Sequence, residues 1–93
     1  MTAMSAIRRQ AAELAFRGRH RAAARLYELV VAHAERDPHS AMKLGELRRK
    51  LNEPRGALRA YELASALFRG AGFSLKAQAV DRVVAGLERA LEA

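Results

Sequence analysis

The side chains in this sequence that could catalyse a reaction or hold a metal are three histidines, ten carboxylates and four serines. His33, Asp37 and His39 lie close together, but Pro38 breaks the chain between them and no fourth metal ligand is evident. The carboxylates lie among arginines on charged faces. None is isolated on an apolar face that would raise its pKa for general acid–base catalysis. No serine lies in a nucleophile elbow, and no glycine loop carries the lysine of a phosphate-binding loop. We therefore expect a protein that is not an enzyme and holds no metal or cofactor.

Basic residues dominate the charge of the chain. Its 93 residues include 17 Lys and Arg against 10 Asp and Glu, a formal net charge of +7. This balance suits an acidic protein, a nucleic acid or an anionic surface, although charges on helix exteriors are often only solvated. Two clusters stand out: Arg17, Arg19, Arg21 and Arg25, and then Arg48, Arg49, Arg55 and Arg59. They make nucleic-acid binding an alternative function, which the lack of interleaved aromatic residues for base stacking disfavours.

The composition also bears on compartment. The absence of cysteine excludes disulfides and thiolate metal sites. No apolar run approaches the ~20 residues that a membrane-spanning helix needs. Arg8 and Arg9 lie near the N-terminus, but no apolar run of signal-peptide length follows them. We therefore expect a cytoplasmic protein that does not enter a membrane.

Turn-forming residues divide the chain into five segments rich in Ala, Leu, Arg and Glu, which favour helix. The predicted helices span residues 4–17, 20–36, 39–51, 54–69 and 73–91. Asp37 can cap the third helix, and Pro54 suits the first position of the fourth. Gly86 costs up to ~1 kcal/mol relative to Ala inside the last helix, so a turn there is an alternative.

The apolar residues of two helices follow helical spacing. The inward face of the second helix is predicted to comprise Ala23, Leu26, Tyr27, Val30 and Ala34. The fourth helix carries two apolar rows, which predict packing on both of its sides. These rows are Ala57, Tyr61, Ala64 and Phe68, and Ala60, Leu63 and Leu67.

The chain contains an internal repeat with a period of 34 residues. Residues 21–29 align with residues 55–63, and six of these nine positions are identical. At the same offset Gly18 aligns with Asn52, both of which tolerate positive φ, and Ala11 aligns with Gly45, both small. A period of this length points to a stack of similar helix pairs.

This period, with two helices per repeat, small residues at the helix crossings and a Tyr four residues after an Ala, resembles the tetratricopeptide repeat family. The residues that carry the resemblance are Gly18, Ala23 and Tyr27, followed by Leu44, Gly45, Ala57, Tyr61 and Ala64. The resemblance implies an all-α, right-handed solenoid of antiparallel helix pairs. It implies one domain over residues 1–93, with repeats at 4–37 and 38–71 and a C-terminal helix at 73–91. The family's first-helix aromatic residue is missing, and its repeat-ending Pro is displaced to Pro38 and absent after the second repeat.

In the family, first helices line a concave groove that holds a peptide or a partner helix. The resemblance implies that Arg8, Ala12, His39, Met42, Glu46, Arg49 and Lys76 line the groove here. This mixed surface suits an acidic, partly apolar segment of another protein.

A third possibility is self-association, since fewer than the ~3 repeats normally needed for independent stability are present. The deficit indicates a partner, a homodimer or a place in a longer scaffold. The candidate stripe for such an interface is Val80, Val83, Val84, Leu87 and Leu91, unless the fourth helix covers it.

Overall fold

The computed structural model of the chain describes residues 3–33 and 36–93. The described residues form five α-helices and no strand, which confirms the predicted all-α class. They are α1 (Ala3–Phe16), α2 (His20–His33), α3 (Pro38–Lys50), α4 (Pro54–Gly70) and α5 (Ser74–Glu92). Because α5 is continuous through Gly86, the alternative of a turn there is wrong. Ala34, predicted to point inward, lies outside the described residues.

The three turns after α1, α3 and α4 have the same construction. Each begins with a residue at positive φ: Gly18 at 80°, Asn52 at 60° and Gly72 at 86°. The next residue donates its amide to a carbonyl five positions back, in the Schellman pattern that ends many helices. These bonds join Arg19 to Leu14 (2.9 Å), Glu53 to Arg48 (2.8 Å) and Phe73 to Phe68 (2.8 Å). Gly18 and Asn52, which align in the repeat and were expected to tolerate positive φ, both adopt it.

The start of α3 is fixed by a side chain, as predicted. The Asp37 carboxylate accepts hydrogen bonds from the Ser40 amide (3.2 Å) and the Ser40 hydroxyl (2.6 Å). Pro38 and Pro54 occupy the first turns of α3 and α4, where a missing N–H is harmless.

Each helix packs mainly against its neighbours in the chain, from α1 on α2 to α4 on α5. The buried residues form two clusters. The first contains Ala11, Ala23, Ala24, Tyr27, Leu44, Leu47 and Ala60. The second contains Ala41, Ala57, Tyr61, Ala64, Phe68, Ala77, Val80 and Leu87. One tyrosine therefore lies in each cluster, and α3 contributes to both.

The closest helix contact is between Gly45 and the Tyr61 ring. A Cβ atom at position 45 would lie 3.0 Å from three atoms of this ring, tighter than nine in ten real Cβ contacts. The matching residues one period earlier, Ala11 and Tyr27, are both buried in the first cluster. A small residue on one helix and a tyrosine on the next thus recur 34 positions apart.

One predicted core position of α4 is wrong. Ala57, Tyr61, Ala64 and Phe68 are at most 4% exposed, but Leu63 is 39% exposed. The reason is that α2 packs mainly on α3 and only lightly on α4, so Leu63 lines an open depression between α2 and α4 with Glu28 and Val31. Leu29, which precedes it by one period, is similarly exposed at 42%.

A polar cluster fixes the position of α5 on α4. The Ser65 hydroxyl donates to Asp81, and Arg69 donates to the same carboxylate at 2.7 Å. These two hydrogen bonds lower the pKa of Asp81 below its usual value. Ser65 is buried, so its hydroxyl needs a hydrogen-bonding partner within the protein. The bond to Asp81 therefore fixes where α5 lies along the length of α4.

We expect the Gly45→Ala substitution to destabilise the fold. Overpacking typically costs about 1–3 kcal/mol, and the better helix propensity of Ala returns at most ~1 kcal/mol. The net loss in the free energy of unfolding should be about 1 kcal/mol by urea denaturation.

The control is Gly86→Ala in α5, where the added Cβ meets only the Arg89 guanidinium at 4.0 Å. It should raise stability by up to ~1 kcal/mol. Equal stabilisation by both substitutions would contradict the close contact.

Candidate functional site

A groove runs between α3 and α5 above α4, with a volume of about 580 Å³. Its lining residues are His39, Met42, Glu46 and Arg49 from α3, Tyr61 and Phe68 from α4, and Lys76, Ala79, Val80 and Val83 from α5. Five of the seven residues predicted to line a groove therefore lie in this one: His39, Met42, Glu46, Arg49 and Lys76.

One end of the groove is an aromatic cluster with a cation above it. The ring of Phe68 meets His39 edge-to-face at 5.2 Å and Phe73 at 6.4 Å between centroids. The Lys76 ammonium lies 5.8 Å from the Phe68 ring centre and 5.0 Å from that of Phe73. Such cation–π contacts contribute about 0.5–1 kcal/mol at exposed sites, enough to bias where the ammonium rests.

The other end of the groove is formed by Arg49 and Tyr61, which are close enough for the guanidinium to act on the Tyr61 hydroxyl. Burial raises the pKa of the Tyr61 hydroxyl above its ordinary value, and the nearby Arg49 only partly opposes this. The hydroxyl therefore stays neutral at physiological pH, and the Arg49 charge is not cancelled by a phenolate.

The carboxylates close to the groove are occupied by other cations. Glu46 pairs with Lys43 at 3.5 Å, and Asp37 pairs with Arg8 at 3.0 Å. Within the part of the chain that the structure describes, neither Arg49 nor Lys76 lies within ion-pair distance of a carboxylate. The groove consequently carries a cation at each end, and Met42, Ala79 and Val83 offer partly exposed apolar surface between them.

The other two predicted groove residues lie in neighbouring depressions. Arg8 lines one of about 680 Å³ that shares His39 with the groove. Ala12 lines one of about 300 Å³ that shares Glu46 with it. Arg8 is bonded to both Asp37 and Ser5, so it holds α1 against the start of α3.

The candidate self-association stripe lies mostly within the chain's own core. Val80 is 4% exposed and Leu87 is 9% exposed, both in the cluster that α4 and α5 share. Val83 and Val84 are partly buried against the same cluster, and Leu91 is half-buried. Within one copy, α4 therefore covers most of the stripe, because Phe68 and Ala64 face it.

Sequence reasoning assigned Tyr61 and Phe68 to the core, which is correct, but did not place them under the groove. It also missed Phe73, which is half exposed beside Lys76. Two features of the sequence could have located these residues. Tyr61 and Phe68 are seven residues apart, about two helical turns, which places them on one face of α4. Phe73 is an aromatic residue in the turn before α5.

The two arginine clusters are divided among different roles. Arg21 pairs with Glu53 at 3.2 Å, and Arg48 pairs with Glu28 at 3.1 Å. Arg48 also donates to the Gly56 carbonyl at 3.1 Å, so it joins α3 to the start of α4. These ion pairs reduce the positive field that the clusters were expected to present together.

Within residues 3–33 and 36–93, no three His, Asp or Glu side chains are grouped so as to hold a metal ion. In the same residues no helix combines the length and apolarity needed to cross a membrane. Comparison with protein-family models, curated proteins and solved structures finds no match for this chain.

Removal of the Asp37 carboxylate should destabilise the chain in a pH-dependent way. Burial alone would raise the pKa of Asp37, but hydrogen bonds from Ser40 and the Arg8 charge outweigh it and lower the pKa. The carboxylate therefore stabilises the fold above about pH 3.9, the ordinary value, and this contribution is lost as the pH falls through the lowered pKa. We expect Asp37→Ala to cost about 0.5–2 kcal/mol at neutral pH.

The measurement is urea denaturation of both proteins from neutral pH down to about pH 2. The stability gap between wild type and variant should close in acid. Glu88→Ala is the control, an exposed carboxylate on α5 that should change stability by less than about 0.5 kcal/mol. A gap that is constant with pH would show that Asp37 acts without its charge.

Proposed function

We propose that this chain is a non-catalytic, cytoplasmic protein-interaction module that binds an acidic, partly apolar segment of another protein in the groove between α3 and α5. The observation that carries the proposal is the charge of the groove. Arg49 and Lys76 lie at its two ends without a carboxylate partner among the described residues, while Glu46 is neutralised by Lys43.

The proposed architecture is a right-handed tetratricopeptide-type solenoid of antiparallel helix pairs. In its support, His39 near the start of α3 contacts Phe68 near the end of α4, and Arg48 near the end of α3 bonds to Gly56 near the start of α4. The identical turns after α1 and α3 give further support. So do residues of matching burial one period apart, namely Ala11 and Gly45, Ala23 and Ala57, and Tyr27 and Tyr61.

Apolar contact supplies more of the proposed affinity than charge does. An exposed ion pair contributes about 0.2–1 kcal/mol, so two pairs contribute at most ~2 kcal/mol. Each CH₂ group that a partner buries against Met42, Ala79 and Val83 contributes about 0.8 kcal/mol. The two cations therefore serve mainly to select an acidic partner and to speed its encounter.

The test is selection from a random peptide library on immobilised protein. Wild type should enrich peptides that are acidic and contain apolar residues. The double charge reversal Arg49→Glu with Lys76→Glu should bind the enriched peptides at least about tenfold more weakly, since two attractions become repulsions. The matched control is Arg25→Glu with Arg55→Glu, which changes the net charge equally at exposed positions away from the groove.

Two results would count against the proposal. No enrichment over a blank surface would mean that the groove binds no peptide segment. Equal loss in both double variants would mean that only the overall charge attracts these peptides, without a part for the groove.

A further inference from the structure

Two large apolar side chains are exposed beside the groove, where α4 turns into α5. Phe73 is 50% exposed and Leu75 is 80% exposed. The Phe73 ring is held in place, because it meets Phe68 edge-to-face at 6.4 Å and the Phe73 amide is bonded to the Phe68 carbonyl. A ring that is exposed and already ordered loses little conformational entropy when a partner covers it.

The stability of the turn does not account for an aromatic residue at position 73. The two other turns of the same construction have Arg19 and Glu53 at the matching position. Position 73 is also the N-cap of α5, where Ser, Thr, Asp or Asn would bond to the helix start, as Asp37 does in α3. The Phe73 side chain makes no such bond. Its exposed ring therefore points to a contact outside this chain.

The Phe73 ring lines the depression of about 680 Å³ that adjoins the groove. Pro38 and Ala71 add apolar surface to the same depression. His39 lines both the depression and the groove, and the Lys76 ammonium in the groove lies 5.0 Å from the centre of the Phe73 ring. One partner segment can therefore contact Lys76 and Phe73 at once.

The charges of the depression suit a ring from an acidic segment. Asp37, a lining carboxylate, is paired with Arg8, and Lys43 is paired with Glu46. Arg36 also lines the depression and is exposed, and it has no carboxylate within ion-pair distance among the described residues. A guanidinium attracts the face of an aromatic ring as well as a carboxylate. A ring in the depression would thus have an aromatic side chain and an unpaired cation among its neighbours.

We infer that this depression is a second subsite, which takes an aromatic side chain of the partner segment next to an acidic residue that meets Lys76. The inference rests on the proposed function and adds Phe73, outside the groove, as a specificity-determining residue. Charge complementarity assigns the occupant, since neither Lys76 nor Arg36 has a carboxylate partner among the described residues. An aromatic side chain fits better than an aliphatic one, because rings pack edge-to-face and have few rotatable bonds to order.

The test starts from the acidic peptides that the library selection enriches on wild type, which should contain an aromatic residue close to an acidic one. The tightest binder is synthesised with a fluorescent label, together with a version in which Leu replaces the aromatic residue. Fluorescence anisotropy gives the Kd of both peptides for wild type, Phe73→Ala, Phe73→Leu and Phe16→Ala. Phe16 is the matched control, since it is 92% exposed at the end of α1 and lines neither the groove nor this depression.

Wild type should bind the aromatic peptide about fivefold more tightly than its Leu version. In Phe73→Ala this preference should fall below about twofold, because the ring that the aromatic residue meets is absent. Phe73→Leu keeps apolar packing on Phe68, so it should remain folded and lose the preference as well. Phe16→Ala should keep the full preference. If Phe73 only supports the position of Lys76, its substitutions will instead weaken both peptides equally.

The outcomes separate this inference from the proposed function. Enriched peptides without an aromatic residue, equal weakening of both peptides, or the same loss of preference in Phe16→Ala would overturn the second subsite, while the groove would remain a peptide site. If the library yields no binders, both fail. Two other occupants would also overturn the inference. One is a second copy, if Phe73→Ala converts a sedimenting dimer to monomer, and the other is a short single-stranded DNA that binds wild type and not Phe73→Ala.

Discussion

The rest of the structure depends on the close approach of Gly45 to the ring of Tyr61. Because position 45 has no Cβ, the α3 backbone can lie directly on the ring, with 3.0 Å to the place where a Cβ would be. This contact sets the distance between α3 and α4. It also holds Tyr61 in the groove beside Arg49, so helix packing and the charged end of the groove share one residue.

The groove's positive character comes from how the chain's carboxylates are used, and not only from an excess of basic residues. Asp37 caps α3 and holds Arg8, Asp81 joins α5 to α4, and Glu46 pairs with Lys43. Each of these carboxylates stabilises a helix end, a helix interface or a helix face. Among the cations left over, Arg49 and Lys76 lie at the two ends of the groove. Stability and proposed binding thus follow from one arrangement of charges.

Local signals in the sequence were enough to predict the five helices and most of their ends, although the second helix was predicted to reach residue 36, where Arg36 has a positive φ. Gly18 and Asn52 mark turns by their tolerance of positive φ, and Asp37 marks a helix start, because each effect depends on a few neighbouring residues. The 34-residue period aligned Gly45 with Ala11 and Tyr61 with Tyr27, and the members of each aligned pair match in burial. These successes concern spacing along one helix or a repeated pair of helices.

The predictions that failed concern contacts between helices. No local pattern in the sequence defines how far one helix is shifted along its neighbour. Leu63 lies on an apolar row of α4, yet it is exposed since α2 packs mainly on α3 and leaves this part of α4 open. Arg8 was expected to be available in the groove and instead bonds to Asp37, 29 residues away. The placement of Lys76 over Phe73 likewise depends on the turn between α4 and α5. Such pairings depend on how the helices are aligned in three dimensions, which local patterns in the sequence do not reveal.

The most direct measurement of the central contact is the proton NMR spectrum of Gly45. Because its α-protons lie against the face of an aromatic ring, they should resonate well upfield of their random-coil position and show nuclear Overhauser effects to the Tyr61 ring protons. A Tyr61→Leu variant should remove the upfield shift. Random-coil shifts for Gly45 in the folded wild-type chain, without Overhauser effects to Tyr61, would contradict the packing on which the groove depends.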